Sequence, residues 1–291
     1  MTCRICIFIF LFFFWKDSFA QIELSYSLNP KITTNSLAWN IAGNSIGENP
    51  NVLSELIWKR ITSIGTDLKV GMILKQKYTL DIGYSFNKTI NGVVTDIDYD
   101  KDNRLGIVSK EQYNSDRGNR YLYNLKFGYL FHKNWGELIF FSMAEFSKNN
   151  YTLVNTSDGL FSKYSFDLIG GGVGLLTSID LGDYLQLKIT NSYLINQYNA
   201  TADWNLRKDF SHPISFVHNT SISKLDNHSL LNYRISNHLK IGFFIELSKY
   251  FSNGWGVDKL YYSNKEVSFT RLNDVSFKIK TVGFSVTIQD I

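Results

Sequence analysis

The chain has 291 residues, a formal net charge of +4 and two cysteines. Both cysteines, Cys3 and Cys6, lie in the first segment, so the rest of the chain cannot form a disulfide bond. The small net charge excludes the strongly basic surface that nucleic-acid binding requires. Aromatic residues make up 15% of the sequence and long helical periodicity is missing, which excludes a helical protein.

Residues 1–20 predict a secretory signal peptide. Arg4 precedes an apolar run, and the Ser-Phe-Ala sequence that ends at Ala20 has the small-x-small pattern of a cleavage site. We expect cleavage after Ala20 and a mature domain over residues 21–291. An uncleaved membrane helix is the alternative, but such a helix needs about 20 apolar residues, and the charged pair at 16–17 interrupts the run.

After this leader, apolar and polar residues alternate with a period of two in many segments. Residues 121–132 are the clearest example, because one parity is wholly apolar and the other is mostly polar. A strand that faces lipid on one side and a wet lumen on the other has this pattern. The sequence therefore predicts an all-β, antiparallel transmembrane β-barrel. A soluble β-sandwich is the alternative fold for the same aromatic-rich strands.

Turns of two lengths separate the predicted strands, and their order indicates the topology. Four connections are short and five are long and polar, which predicts ten strands. In outer-membrane barrels the short turns lie on the periplasmic side and the long loops outside. We therefore expect a bacterial outer-membrane location, with the loops facing the exterior. The short turns are at 76–77, 132–136, 182–183 and 236–238, and the long stretches are at roughly 33–53, 97–119, 154–163, 202–216 and 252–270.

Three segments carry a resemblance to a known family. Residues 51–59 read Asn-Val-Leu-Ser-Glu-Leu-Ile-Trp-Lys, residues 96–99 read Asp-Ile-Asp-Tyr, and residues 283–287 have a Gly-x-x-x-Thr pattern. In this order they resemble the omptins, ten-stranded outer-membrane aspartate-histidine endopeptidases. The first segment is also similar to Protochlamydia-type outer membrane proteins, which share the omptin barrel. The resemblance implies an omptin-like barrel over nearly all of the mature chain.

The resemblance also implies the position of a site. In omptins, one aspartate pair holds and activates a water, and an opposing Asp–His pair on the fourth loop supplies the base. Asp96 and Asp98 occupy the positions of the first pair. Asp203 occupies the aspartate position of the second pair, and Asn205 stands where the histidine should be. Because an amide does not accept a proton at neutral pH, the resemblance implies a barrel without protease activity.

Two observations bear on this site. Either His212 or His218 would have to substitute for the missing base in an active endopeptidase, which is the alternative function. Counting by twos from the lipid-facing Phe86 places Asp96 and Asp98 on the outer face. An inward-facing aspartate pair therefore requires a break in the strand register, and residues 91–92, Asn-Gly, are the candidates for such a bulge.

The leading functional hypothesis is a porin-like or surface-interaction protein, because a fold does not fix its function. A ten-stranded barrel has a lumen only slightly wider than one that side chains fill completely, so a passive pore would have a small conductance. We expect outer-membrane lipid as a partner, with an extracellular protein or peptide as a candidate ligand, and we expect no nucleic acid, no cofactor, no metal and a monomeric state. Residues 148–151 do not match the omptin lipopolysaccharide segment, so activation by that lipid is not implied.

Overall fold

The structure is a computed structural model that describes residues 22–157 and 159–290, so the predicted leader lies outside the described residues. One antiparallel sheet closes on itself into a ring, and a short 3-10 helix, Asp102–Arg104, is the connection between its third and fourth strands. The strands are β1 (Ile22–Ile41), β2 (Ser54–Leu74), β3 (Tyr78–Lys101), β4 (Leu105–Asn114), β5 (Asn119–Lys133), β6 (Gly136–Asn155), β7 (Leu160–Asp180), β8 (Leu185–Asp203), β9 (Phe216–Arg234), β10 (Leu239–Ser252), β11 (Gly256–Tyr261) and β12 (Val267–Asp290).

Ten strands form the wall of the barrel, as predicted. Pairing of β1 with β12 closes the ring. The strands β4 and β5 follow one another along β3: β5 pairs with residues 78–88 and β4 with residues 93–101. In the same way β10 and β11 follow one another between β9 and β12. Two of the ten wall strands are therefore interrupted, which accounts for the twelve strands in the described chain.

The outer face carries a band of exposed apolar side chains. On β1, Tyr26, Leu28 and Ile32 point outward and are about half exposed, while the intervening residues point into the barrel. The same alternation continues around the ring, and the exposed apolar side chains on β3 extend up to Ile90. A surface of this kind suits a lipid environment. No helix among the described residues is long and apolar enough to cross a bilayer.

Beyond this band the strands continue, and their apolar side chains now face inward. Leu37 and Trp39 of β1 are buried and pack in an aromatic core. The ring centroids of Trp58 and Tyr164 are 5.4 Å apart, and Phe166, Tyr198 and Phe277 belong to the same core. The loop end of the lumen is therefore filled with side chains.

The long loops are shorter in the structure than the sequence predicts. The stretch 33–53 contains the end of β1, the stretch 97–119 contains the end of β3 and all of β4, and the stretch 252–270 contains β11. β1 and β11 continue into these regions because their inward side chains pack in the aromatic core, whereas β4 is exposed and is held by its pairing with β3. The four predicted short turns are confirmed.

β3 has the predicted register break, but the extra residue is Ile90, which directly precedes the predicted Asn-Gly pair at 91–92. Ser63 of β2 pairs with Thr89 and Thr62 pairs with Asn91, so Ile90 is an extra residue. An extra residue in one strand reverses which face the following side chains occupy. After the break, Gly92 and Val94 are buried, and Asp96 and Asp98 face into the barrel end instead of the outside.

The membrane half of the lumen is narrow and ionic. Lys224 lies 2.7 Å from Glu145, and both side chains are almost completely buried. A second buried pair joins Lys31 to Asp67. The remaining cavity measures about 190 Å³ and is lined largely by charged side chains.

Candidate functional site

An acid-lined cleft opens at the loop end of the barrel. It has a volume of about 530 Å³ and lies between the end of β3, the loop 204–215 and β11. We call it the acidic cleft. Its walls include the aromatic residues Trp39, Trp204, Phe210, Phe216 and Tyr262, its carboxyl groups are Asp96, Asp98, Asp100, Asp209 and Asp258, and its basic groups are Arg207 and His218.

Asp96 is the most perturbed acid of the acidic cleft. Its position beyond Ile90 places it outside the lipid-facing band. Burial, together with the charges of Asp98 and Glu111, raises the pKa of Asp96 to about 7. One of its carboxyl oxygens, Oδ1, is buried without a hydrogen-bond partner among the described residues. A cationic group that entered the cleft would therefore give this oxygen a partner that the protein itself does not provide.

Arg207 is the basic residue that the fourth loop brings towards these acids. Its Nε and Nη2 atoms donate to the two carboxyl oxygens of Asp209 at 3.0 and 2.9 Å. These hydrogen bonds, and the charges of Asp98 and Asp96, raise the pKa of Arg207. Among the described residues the ion pair of Arg207 is with Asp209 and not with Asp96 or Asp98, so its guanidinium group acts on the β3 aspartates through its charge without direct contact.

A buried His–Asp pair forms the floor of the acidic cleft. His218 and Asp258 are both fully buried, with His218 Nε2 at 3.2 Å from Asp258 Oδ1. His218 Nδ1 contacts the Tyr164 hydroxyl at 2.9 Å, and Thr270 donates to Asp258 Oδ2 at 2.8 Å. The facing atoms of the pair, Nε2 and Oδ1, lack a well-aligned hydrogen bond among the described residues. Because both groups are buried, their charge and polarity are balanced mainly by each other.

The predicted opposing pair does not line the acidic cleft in the described structure. Asn205 Oδ1 accepts hydrogen bonds from the Phe161 backbone and the Ser162 hydroxyl, and Asn205 Nδ2 donates to the Gly159 carbonyl. This side chain therefore fixes the turn between β6 and β7. Asp203 instead contacts His212, with 2.7 Å between Asp203 Oδ1 and His212 Nδ1.

Sequence reasoning named Asp96, Asp98 and, as a candidate base, His218, but it did not name Asp258 or predict that His218 and Asp258 form the floor of the acidic cleft. Asp258 was assigned to a loop, and a loop has no inward or outward parity. His218 lies on β9 with the parity of the buried Thr220 and Ile222, which was the available signal. Among the described residues no group of three or more metal-binding side chains is placed to hold a metal ion.

Comparison with known proteins shows the family. The outer membrane protease OmpT from Escherichia coli has a similar structure, with a TM-score of 0.67 and 13% identity over 91% of this chain and 96% of OmpT. The toluene transporter TodX from Pseudomonas putida matches with a TM-score of 0.32 and 10% identity over 94% of this chain and 90% of TodX, a likeness too weak to carry an argument. No curated protein matches the sequence. Residues 33–142 and 138–289 match the Protochlamydia outer membrane protein family, so the chain belongs to this family of outer-membrane β-barrels with an omptin-like fold.

Proposed function

We propose that this barrel binds a basic peptide or protein segment in the acidic cleft on the outer side of the membrane, and that it does so without omptin-type proteolysis. The observation that carries this proposal is the excess of carboxyl groups over basic groups in a cleft with aromatic walls. Lysine and arginine side chains bind carboxylates through charge-assisted hydrogen bonds, and they also bind the faces of aromatic rings. The volume of about 530 Å³ lies within the range of ligand sites.

Two further observations support binding rather than catalysis or transport. Asn205, at the position of the omptin histidine, is hydrogen-bonded to the turn between β6 and β7. The membrane half of the lumen retains a cavity of only about 190 Å³ among charged side chains, which leaves no wide path for solutes. We therefore place a surface-interaction role ahead of a pore.

Removal of the β3 carboxylates should weaken this binding. We expect the double substitution Asp96→Asn and Asp98→Asn to lower the affinity for a lysine-rich peptide by about tenfold or more, because each lost charged hydrogen bond is worth about 1.5–3 kcal/mol. Fluorescence anisotropy with the purified barrel in detergent measures the affinity. Asp183→Asn, an exposed aspartate in a turn at the opposite end of the barrel, is the matched control. Equal affinities for all three proteins would contradict the proposal.

The second candidate function is an endopeptidase, which the contact between Asp203 and His212 favours. An imidazole held by a carboxylate is the arrangement that a general base needs. If the barrel cleaves basic peptides through this pair, His212→Ala should reduce the rate by at least about a hundredfold. Mass spectrometry of the peptide products measures the cleavage. Absence of any cleavage by the intact protein between about pH 5 and 8, where an imidazole acts as a base, would exclude this function.

A further inference from the structure

The strand β4 has one free edge at the loop end of the barrel. Its other edge pairs with β3 from residue 93 to residue 101. On the side of β6, the only pairing among the described residues joins Asn114 to Val154, because β6 ends at Asn155. The backbone groups of residues 105–113 on that side therefore have no strand to pair with. An edge of this kind is a template for the addition of another strand.

The free edge is also exposed and partly apolar. Leu105, Ile107 and Val108 are 62%, 58% and 68% exposed, although they lie beyond the lipid-facing band. Val108 is in addition one of the residues that line the acidic cleft. Exposed apolar residues on an edge strand gain contacts when a partner strand covers them. The free edge and the acidic cleft thus form one continuous surface.

The face of the sheet at this edge is acidic. Asp98 of β3 pairs with Ser109 of β4, and Asp96 pairs with Glu111, so these side chains share one face. A strand added to β4 would lie about 5 Å from it and about 10 Å from β3. Every second side chain of the added strand would point to the face that carries Asp96, Asp98 and Glu111.

We propose that β4 receives the ligand as an added antiparallel or parallel strand: an extended peptide with basic residues at alternate positions. This inference rests on the proposed function and specifies the form of its ligand. Val108 is an extra residue in the pairing of β4 with β3, so the regular part of the edge is residues 109–113. Backbone hydrogen bonds to this part hold the peptide, and its alternate basic side chains contact Glu111 and the β3 aspartates. Recognition of this type takes its affinity from the main chain and its specificity from alternate side chains.

A peptide fits this edge better than a second copy of the chain. Edge-to-edge pairing of two copies would bring two acidic clefts close together, and their carboxylates would repel each other. A basic peptide instead supplies the opposite charge. The occupant to which we commit is therefore the peptide.

Peptides that differ only in backbone or in sequence order test the inference without any change to the barrel. The probes are a peptide of alternating lysine and threonine, an isomer with lysines in adjacent pairs, and two versions of the first peptide with N-methyl groups on one or the other set of alternate amides. We expect one N-methylated version to bind about tenfold or more weakly than the parent, because it loses its edge hydrogen bonds. The other version should bind like the parent, and the paired-lysine isomer should bind more weakly.

The outcomes separate this inference from the proposed function. If both N-methylated versions bind as tightly as the parent while Asp96→Asn with Asp98→Asn lowers the affinity, the edge inference is wrong and the proposed function stands. If the unmodified peptide does not bind, the proposed function fails and this inference fails with it. If light scattering shows that the barrel forms dimers which the peptide does not dissociate, a second copy occupies the edge and the inference is overturned.

Discussion

Substitution of Lys224 by methionine is expected to lower the free energy of unfolding of the barrel by about 3–5 kcal/mol, the cost of leaving a buried partner charge uncompensated. Lys224 Nζ lies 2.7 Å from Glu145 Oε2, with side-chain exposures of 3% and 1%. The Lys224 ammonium group also lies 5.4 Å from the centroid of the Tyr250 ring. Its removal leaves the buried carboxylate of Glu145 without its ion-pair partner.

Unfolding in urea, followed by tryptophan fluorescence of the detergent-solubilised barrel, measures this loss. Lys188→Met is the matched control, because Lys188 also lines the lumen but has no ion pair among the described residues. Glu145→Gln combined with Lys224→Met should recover much of the stability, since it removes both charges. An unfolding free energy unchanged by Lys224→Met would show that water or another residue already neutralises Glu145.

The wall of the barrel could be predicted from the sequence because a lipid-facing strand has a strong period-two pattern. The same signal failed at the loop end for a physical reason. On β1, outward Ile32 is apolar in the membrane band, whereas inward Leu37 and Trp39 are apolar beyond it. The apolar parity reverses although β1 keeps a continuous register with β12 from Lys31 to Asn40. In the sequence this reversal looks like the end of a strand, so the strand extensions were assigned to loops.

Only part of the candidate site could be predicted from the sequence, for a related reason. The Asn-Gly pair at 91–92 indicated the register break that turns Asp96 and Asp98 inward, because bulges favour such residues. The partner of these aspartates could not be predicted, since Asn205, Arg207 and Asp258 lie in segments without periodicity. Only tertiary contacts show that Asn205 holds a turn while Arg207 enters the acidic cleft.

Affinity for a basic peptide should rise about tenfold from about pH 6 to pH 8, because a carboxyl with a pKa near 7 is about one-tenth ionised at the lower pH and nine-tenths ionised at the higher. The group is Asp96, whose pKa burial raises to about 7, with help from the charges of Asp98 and Glu111. A basic ligand stabilises the carboxylate, so binding releases a proton. The raised pKa also means that folded protein holds a proton that the unfolded chain has lost, so this group lowers stability as pH rises from about 4 to 7.

Calorimetric titration at several pH values measures the affinity and the proton release together, with buffers of different ionisation enthalpy. In Asp96→Asn the affinity should be lower at pH 8 and nearly independent of pH, and the variant should gain stability over the original protein as the pH rises through about 4 to 7, because its amide cannot ionise. If the pH dependence persists unchanged in Asp96→Asn, the carboxyl group is not responsible and the assignment of the perturbed acid to the binding surface is wrong.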